Sequence, residues 1–379
     1  MKIIKTYKTI IFSKFNGKGL FIGIGYLILS CVPYQLHAQK DSVLKKHRLL
    51  VLPIVARSIE TSWSFGAAIS STFNLKSPID SITRTSNLQA LSLYSLRKQL
   101  VLALNGSIYF PGEKYILNQQ ISYSYFPDKF WGLGKATPDS NKESYNYRQF
   151  YIYLHPQKQI GKKLFLGLLY EFQKVWNVRY TPGGLFEKED VVGRNGYIVS
   201  GLGLSFTYDT RNNAFAPDRG MMLQFHLSHF SQIFGSKYEY TNYVIDLRKF
   251  LTIYKRQVLA LQAYGFFNSG KVPLRSLASL GGANSMRGYY DGRYRDKNQC
   301  ILQAEYRIPL FWRLGCVVFG DMGNVGNKLT DLNFQCLKYS YGGGLRVALS
   351  KSEKLNLRLD YGIGHGKAKG FYFQLGEAF

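Results

Sequence analysis

The stretch KLNLRLDYGIG, residues 354–364, alternates between apolar and polar side chains. One face carries Leu355, Leu357, Leu359 and Tyr361, and the other carries Asn356, Arg358 and Asp360. Successive side chains of a β-strand point to opposite faces, so the pattern predicts a strand. Charged groups on one face and leucines on the other are typical of a membrane barrel, in which polar residues point inward. A soluble sandwich has the reverse arrangement.

The same alternation recurs along the chain, for example in QVLALQAYGFF, residues 257–267. Strands of about 9–11 residues cross an outer membrane, and an even number returns both termini to the periplasm. We therefore predict an all-β fold, a transmembrane antiparallel β-barrel of sixteen strands over residues 49–379; roughly fourteen strands would also close. The predicted strands are 49–58, 61–74, 87–97, 99–110, 114–126, 145–157, 163–176, 196–209, 219–232, 236–251, 254–268, 298–309, 312–326, 336–349, 353–364 and 370–379.

The N-terminal residues 1–38 have the pattern of a secretory signal peptide. Five lysines precede an apolar run from Leu20 to Val32, and the sequence LHAQ follows it. We expect cleavage after Ala38, which leaves residues 39–48 as a short periplasmic lead. The alternative is that ILSC is a lipoprotein box and that Cys31 is acylated rather than removed.

The composition restricts the partners. The chain has a formal net charge of +26, and 16% of its residues are aromatic. It contains no zinc-site spacing, helix-turn-helix or RNA-binding motif, so we expect no nucleic-acid partner. The basic charge of an exported protein favours outer-membrane lipids and lipopolysaccharide phosphates. Cys300, Cys316 and Cys336 lack metal-ligand spacing, and we expect neither a metal nor a cofactor.

The segment GGANSMRGYYDGRYRDKN, residues 281–298, belongs to a long loop, 269–297, between the eleventh and twelfth predicted strands. Glu305 and Asp321 lie on the two strands that follow, and facing lipid would be costly for both. We expect them to face the lumen and to need a cation. Arg287 is the candidate, in which case the loop folds inward as a plug. Alternatively, Arg287 meets lipopolysaccharide phosphate outside, and composition leaves both interpretations open.

Five motifs carry a resemblance to a known family. Three of them are SMRGYY at 285–290, FGDMGNV at 319–325 and FWGLGKATP at 130–138. The fourth is FTYDTRNNAFAPDRG, which contains Asp209, Arg211, Pro217 and Gly220. The last is FYFQLGEAF, which contains Phe371, Phe373, Leu375, Gly376 and Phe379. With these motifs, the sequence resembles the barrel domain of the bacterial surface antigen family, the BamA/TamA outer-membrane assembly and translocation factors. The fourth motif matches the family's periplasmic turn motif, and the last matches its C-terminal strand signal.

The resemblance implies an integral outer-membrane protein that assists protein insertion or translocation. It makes Arg287, Gly288 and Tyr289 the plug-loop motif, with Glu305 and Asp321 as lumen partners. It also implies a seam between the first and last strands, where unfolded outer-membrane clients pair. Family members usually carry periplasmic POTRA domains, for which residues 39–48 leave no room. We therefore expect a separate periplasmic or lipoprotein partner.

Two other functions were weighed against assembly. A passive channel or scaffold would keep the barrel fold without the activity, and the buried ion pair does not distinguish it from an assembly factor. An enzyme needs a nucleophile, a base and an orienting group within reach of one another. The chain has neither a GxSxG nor an HExxH motif, so we expect no enzymatic activity.

Overall fold

The barrel is closed by sixteen antiparallel strands. A computed structural model describes residues 47–75, 83–213, 216–333, 336–350 and 354–379. Within these ranges each barrel strand pairs with its neighbours along the chain, and the last strand returns to the first. The prediction of a sixteen-stranded antiparallel barrel is therefore confirmed. The predicted signal peptide, its cleavage site, Cys31 and most of the periplasmic lead lie outside the described residues.

At most strand ends, the observed bounds differ from the predicted bounds by a few residues. The barrel strands are β1 His47–Ser58, β2 Ser62–Phe73, β3 Ser86–Ser95, β4 Leu100–Tyr109, β5 Tyr115–Phe130, β6 Glu143–Gly161, β7 Leu164–Arg179, β8 Tyr197–Asp209, β9 Gly220–Phe230, β10 Tyr240–Thr252, β11 Val258–Gly270, β14 Asn298–Pro309, β15 Leu314–Gly326, β16 Lys338–Ser350, β17 Leu355–Gly364 and β18 Lys369–Leu375. The two remaining strands, β12 Ala278–Leu280 and β13 Tyr294–Asp296, pair with each other in a separate two-stranded sheet that is not part of the barrel wall.

Helical structure in the described residues is confined to single turns. The α-helix Leu185–Lys188 and the 3-10 turns Pro111–Glu113, Asp139–Asn141, Gln232–Phe234, Leu274–Ser276 and Leu329–Asp331 all lie in connections. No helix in the described part of the chain is long and apolar enough to cross a membrane.

The two faces of the wall follow the predicted alternation. On β17, Arg358 and Asp360 are buried, whereas Tyr361 is exposed. On β11, Gln262 is buried and the adjacent Leu261 is exposed. The inward face is thus polar and the outward face apolar, which is the arrangement of a barrel in lipid.

The wall is uneven in height. Strands β5, β6 and β7 have 16, 19 and 16 residues, whereas β18 has 7. The outer ends of β5, β6 and β7 extend beyond the short hairpin of β3 and β4. Aromatic side chains fill the inner side of this tall part, where Phe130, Tyr145 and Phe186 form one buried cluster. The wall is therefore lowest where β18 returns to β1.

Leu302→Arg tests which face of β14 meets lipid. Leu302 is 52% exposed and paired with Met322, so an arginine there would face hydrocarbon. We expect the free energy of unfolding to fall by about 2–4 kcal/mol. This free energy is measured by titrating the protein in lipid vesicles with guanidinium chloride, with tryptophan fluorescence as the readout.

Leu310→Arg is the matched control. Leu310 is 51% exposed, but it lies in the turn that follows β14. A cost there of about 0–1 kcal/mol is expected. Equal costs for both variants would contradict the assigned lipid-facing side.

Candidate functional site

The loop between β11 and β14 folds against the inner face of the barrel. Its two short strands, β12 and β13, pair in the register Ala278↔Asp296 and carry residues 281–293 at their tip. Gly281 and Gly288 have φ angles of 117° and 110°, which favour glycine. These positions let the tip reverse direction and present Arg287 to the wall.

Arg287 is fully buried among carboxylates. Its Nη1 lies 2.7 Å from Glu305 Oε1 and donates a hydrogen bond of 2.9 Å to Asp360 Oδ2. Its Nη2 lies 3.9 Å from Asp321 Oδ1, and its backbone N–H donates to the other oxygen of Asp321 at 3.3 Å. The guanidinium carbon is 3.4 Å from the centroid of the Phe319 ring. The structure therefore brings the predicted Arg287, Glu305 and Asp321 together on the inner side of the wall.

Sequence reasoning missed Asp360 as a partner of Arg287, although the alternation of 354–364 had placed it inward. It also missed the wider network. Arg346 Nε lies 2.8 Å from Glu377 Oε2, and Arg346 also pairs with Asp360. Arg307 Nη2 lies 2.8 Å from Glu305 Oε2. The network comprises four arginines and four carboxylates: Arg287, Arg307, Arg346, Arg358, Glu305, Asp321, Asp360 and Glu377.

The two residues after Arg287 attach the loop tip to the last strands. The Gly288 N–H donates to Tyr372 Oη on β18 at 2.9 Å. Tyr289 Oη donates to the Tyr339 carbonyl at 3.0 Å and accepts from the His365 N–H at 2.7 Å. These bonds tie the tip to β16, to β18 and to the turn after β17.

Glycines on β17 make this close approach of the loop possible. A Cβ at Gly362 would lie 2.5 Å from the Arg287 carbonyl oxygen, and one at Gly364 would lie 2.6 Å from the Tyr289 ring. A Cβ at Gly288 would lie 2.8 Å from the Gly364 nitrogen. The loop backbone and the β17 backbone therefore touch only because both lack side chains there.

The C-terminal residues depart from the predicted strand. Phe371, Phe373 and Leu375 lie on β18, but the strand ends at Leu375, so the prediction of a strand over 370–379 was wrong at its end. Gly376 has a φ of 85°, which allows the chain to turn into the barrel. There Glu377 meets Arg346, and the tail continues inward.

Phe379 lies inside the barrel rather than on its outer face. Its ring is 7% exposed and packs with Phe250, Val258 and Ala260 from β10 and β11. Arg307 Nη2 donates to the backbone oxygen of Phe379 at 3.1 Å. The tail after β18 therefore crosses the periplasmic end of the barrel toward the opposite wall.

The predicted periplasmic turn motif is held by ion pairs. Asp209 accepts from Arg211 Nε at 2.9 Å and lies 3.1 Å from Arg84 Nη1. Arg84 also pairs with Glu113 at 2.8 Å. Pro217 is buried, and Gly220 has a φ of 102° with no room for a Cβ beside the Thr210 carbonyl. Sequence reasoning missed Arg84 and Glu113, which join this turn to two other periplasmic turns.

The outer end of the loop has its own anchors. Asp128 on β5 accepts from Tyr145 Oη at 2.8 Å, from Tyr290 Oη at 3.0 Å and from Arg295 Nη2 at 3.1 Å. In the turn between β1 and β2, Glu60 Oε1 accepts from the Asp291 N–H at 2.7 Å. Burial and the nearby charge of Asp291 raise the pKa of Glu60. The loop therefore contacts the wall at both its outer and its inner end.

Within the described part of the chain, no three His, Cys, Asp or Glu side chains are grouped so as to hold a metal ion. The inner site is instead a set of fixed charges and backbone contacts between a loop and a barrel wall. Such a site can hold a segment in place, and its charges are compensated within the protein.

Comparison with protein families decides the relationship. A model of the Omp85 superfamily domain matches residues 97–379. The chain belongs to the Omp85 superfamily. It is accordingly an integral outer-membrane β-barrel, and the predicted BamA/TamA-type resemblance is confirmed. A search of curated protein sequences finds no match.

Solved structures with the same fold include a BamA and two CdiB proteins. BamA from Haemophilus ducreyi lacking POTRA domains 1–3 has 15% identity and a TM-score of 0.56, covering 87% of this chain and 70% of its own. CdiB from Acinetobacter baumannii has 14% identity and a TM-score of 0.56, covering 88% and 60%. CdiB from Escherichia coli has 11% identity and a TM-score of 0.59, covering 86% and 62%. This Omp85 chain thus spans about six-tenths of each CdiB chain.

At these identities the likeness concerns the fold of the barrel. The assignment to the superfamily rests on the domain match over residues 97–379.

Arg287→Glu tests the buried ion network. The change places a fourth carboxylate beside Glu305, Asp321 and Asp360, and it removes their shared cation. Breaking a buried pair costs about 3–5 kcal/mol, so we expect a less stable barrel. On semi-native gels, the variant should lose the mobility of the folded barrel at a lower heating temperature than the wild type does.

Lys271→Glu is the control, since Lys271 lies exposed in the same loop and the charge change is the same. It should leave the transition unchanged. Equal transitions for Arg287→Glu and wild type would refute a stabilising role for the network.

Glu60→Gln should stabilise the protein near neutral pH. The amide oxygen can still accept from the Asp291 N–H, while the penalised charge disappears. Because the folded-state pKa of Glu60 is raised, the wild type gains stability as pH falls through that pKa. We therefore expect a higher melting temperature for the variant at about pH 8 and a smaller difference at about pH 5.

Glu187→Gln is the matched control, because Glu187 also accepts from a backbone N–H, that of Gly183, but is exposed. If the difference in melting temperature between Glu60→Gln and the wild type grew as the pH fell, it would contradict the raised pKa assigned to Glu60.

Proposed function

We propose that this Omp85 barrel assists the insertion or translocation of client proteins by offering the free edge of β1 to a client strand. The observation that carries the proposal is the geometry of the seam between β1 and β18. The function of the Arg287 network, in this proposal, is to hold the loop and β18 as one body while β1 is free to part from them.

The seam is short. Among the described residues, β1 and β18 share one register pair, Arg57↔Phe373. On its other side, β1 is paired with β2 along its whole length, from His47↔Phe73 to Ser58↔Ser62. In the register of the seam, the last residue of β18, Leu375, faces Val55. The periplasmic two-thirds of β1, residues 47–54, therefore lies beyond the end of β18.

The free part of β1 lies in the apolar wall. Leu49 and Val51 are 71% and 60% exposed, as expected of side chains that face lipid. Unpaired backbone N–H and C=O groups cost several kcal/mol each in hydrocarbon, on the order of a lost hydrogen bond or more. Another extended strand would satisfy these groups by β-augmentation. Pro53 fits such an edge, because proline cannot donate to a ladder and is confined to edge positions.

The last strand is held more firmly than the first. Tyr372 on β18 accepts from the Gly288 N–H, and the tail after β18 places Glu377 on Arg346. The seam would thus open by movement of β1 and β2 away from β18. A client arriving from the periplasm would first meet residues 47–54 of β1, which lack a β18 partner.

The partners follow from this proposal. The clients are unfolded outer-membrane proteins, whose strands have the length and alternation of the strands in this wall. A separate periplasmic or lipoprotein partner delivers them. The outer membrane, with its lipids and lipopolysaccharide, is the medium into which the client is released.

A disulfide across the seam tests the proposal. In a background with all four cysteines replaced by alanine, Arg57 and Phe373 are both changed to cysteine, since they are register partners. The oxidised protein should lose its ability to accelerate folding of an unfolded outer-membrane client in liposomes, measured by protease protection. Reduction of the disulfide should restore the acceleration, because the disulfide is the only difference between the oxidised and the reduced protein.

The matched lock joins Arg57 and Trp63, partners in the permanent pair of β1 and β2. It should leave acceleration intact. If the seam lock and the matched lock behave alike, the seam is not the working edge. If wild type gives no acceleration but conducts ions in planar bilayers, the barrel is a passive channel and the proposal fails.

A further inference from the structure

A cavity opens at the outer rim, where the wall steps up from the short hairpin of β3 and β4 to the tall strands. β5 pairs with β4 only as far as Tyr125↔Leu100, and residues 126–130 rise above it. The cavity beside this step has a volume of about 360 Å³. Its walls include Glu60, Arg97, Lys129, Arg179, Tyr180 and Tyr290.

Three cations converge on this cavity. Among the described residues, none of Arg97, Lys129 and Arg179 has a carboxylate within salt-bridge distance. Arg97 Nη1 donates to the Ile59 carbonyl at 2.8 Å, so its position is fixed by backbone rather than by an acid. Lys129 Nζ lies 5.6 Å from the centroid of the Tyr290 ring. Arg179 is exposed at the end of β7.

The two acids of the cavity are already engaged. Asp128 binds two tyrosine hydroxyls and Arg295, and Arg275 lies 3.5 Å from it. Glu60 is 7% exposed and accepts the Asp291 N–H. Neither carboxylate forms an ion pair with any of the three cations, so the cavity carries a net positive charge toward the outside.

We propose that this cavity binds a phosphorylated sugar. Arginine and lysine bind phosphate through charge-assisted hydrogen bonds, and arginine offers a planar fork that matches phosphate oxygens. The Tyr180 ring stacks on Phe186 with one face, and its edge and other face line the cavity, where a sugar can pack. A volume of this size is in the range of small-ligand sites. The same headgroup chemistry occurs in outer-leaflet lipopolysaccharide and in soluble sugar phosphates.

Binding is measured with the folded full-length barrel in detergent, titrated with glucose 6-phosphate and, separately, with glucose. We expect saturable binding of the phosphate ester and none of glucose. The double variant Lys129→Gln, Arg179→Gln should weaken binding by about tenfold or more, because two charged donors are lost. Arg179→Gln alone, at an exposed side chain, should weaken it in the same direction and preserves the fold.

Lys188→Gln is the control for charge, since Lys188 is exposed on the neighbouring outer loop but outside the cavity. It should change the affinity by less than about twofold. Equal binding of glucose and glucose 6-phosphate, or an equal loss in Lys188→Gln and the cavity variants, would overturn the proposal. Heat-modified mobility verifies that each variant is folded.

A second arm distinguishes the two sources of the ligand. Vesicles that contain diphosphorylated lipid A are compared with vesicles that contain its dephosphorylated form, using association of the barrel with labelled lipid as the readout. Phosphate-dependent enrichment that Arg179→Gln reduces assigns the site to the membrane headgroup. Binding of glucose 6-phosphate without such enrichment assigns it to a soluble ligand. If neither probe binds, the cavity is not a phosphosugar site.

Discussion

A buried guanidinium is the constraint on which the inner architecture depends. Arg287 has no exposed surface, so its charge must be compensated by protein groups. The acids that do so come from β14, β15 and β17, which places the loop tip where these three strands face inward. The remaining arginines of the network then compensate the excess of carboxylates. One buried charge thereby fixes a loop, three strands and, through Glu377, the chain end.

The barrel consequently has a firm side and a soft side. The firm side includes β14 to β18 and the inward loop, joined by ion pairs, by tyrosine hydroxyls and by glycine contacts with β17. The soft side is the seam, where a strand of 12 residues meets a strand of 7. Closure of the barrel pairs each strand with two neighbours, but among the described residues positions 47–54 of β1 pair with β2 alone. The two sides meet at β18, which is bonded to the loop yet borders the seam.

Much of this was accessible from the sequence, because alternation in a lipid-facing wall leaves a strong pattern. It placed Arg358 and Asp360 inward and gave sixteen strands, and the cost of a charge in lipid directed Glu305 and Asp321 toward Arg287. The sequence could not reveal which inward residues share a height in the barrel, since that depends on strand tilt and register. Asp360 and Arg346 were missed for this reason. The last strand was predicted to run to Phe379 because the C-terminal motif extends to that residue, whereas the positive φ of Gly376 redirects the backbone after Leu375.

The tail after β18 also completes the inner network and the Phe250 pocket. Glu377 is the last member of the network in chain order, and its Oε2 accepts a hydrogen bond of 2.8 Å from Arg346 Nε. Until it docks, the network holds four arginines and only three carboxylates, and the Phe250 pocket lacks the Phe379 ring. A barrel that has not yet received its final residues is therefore electrostatically and sterically incomplete at its periplasmic mouth. In the folded barrel, residues 376–379 thus complete both the charge balance of the network and the apolar pocket around Phe250.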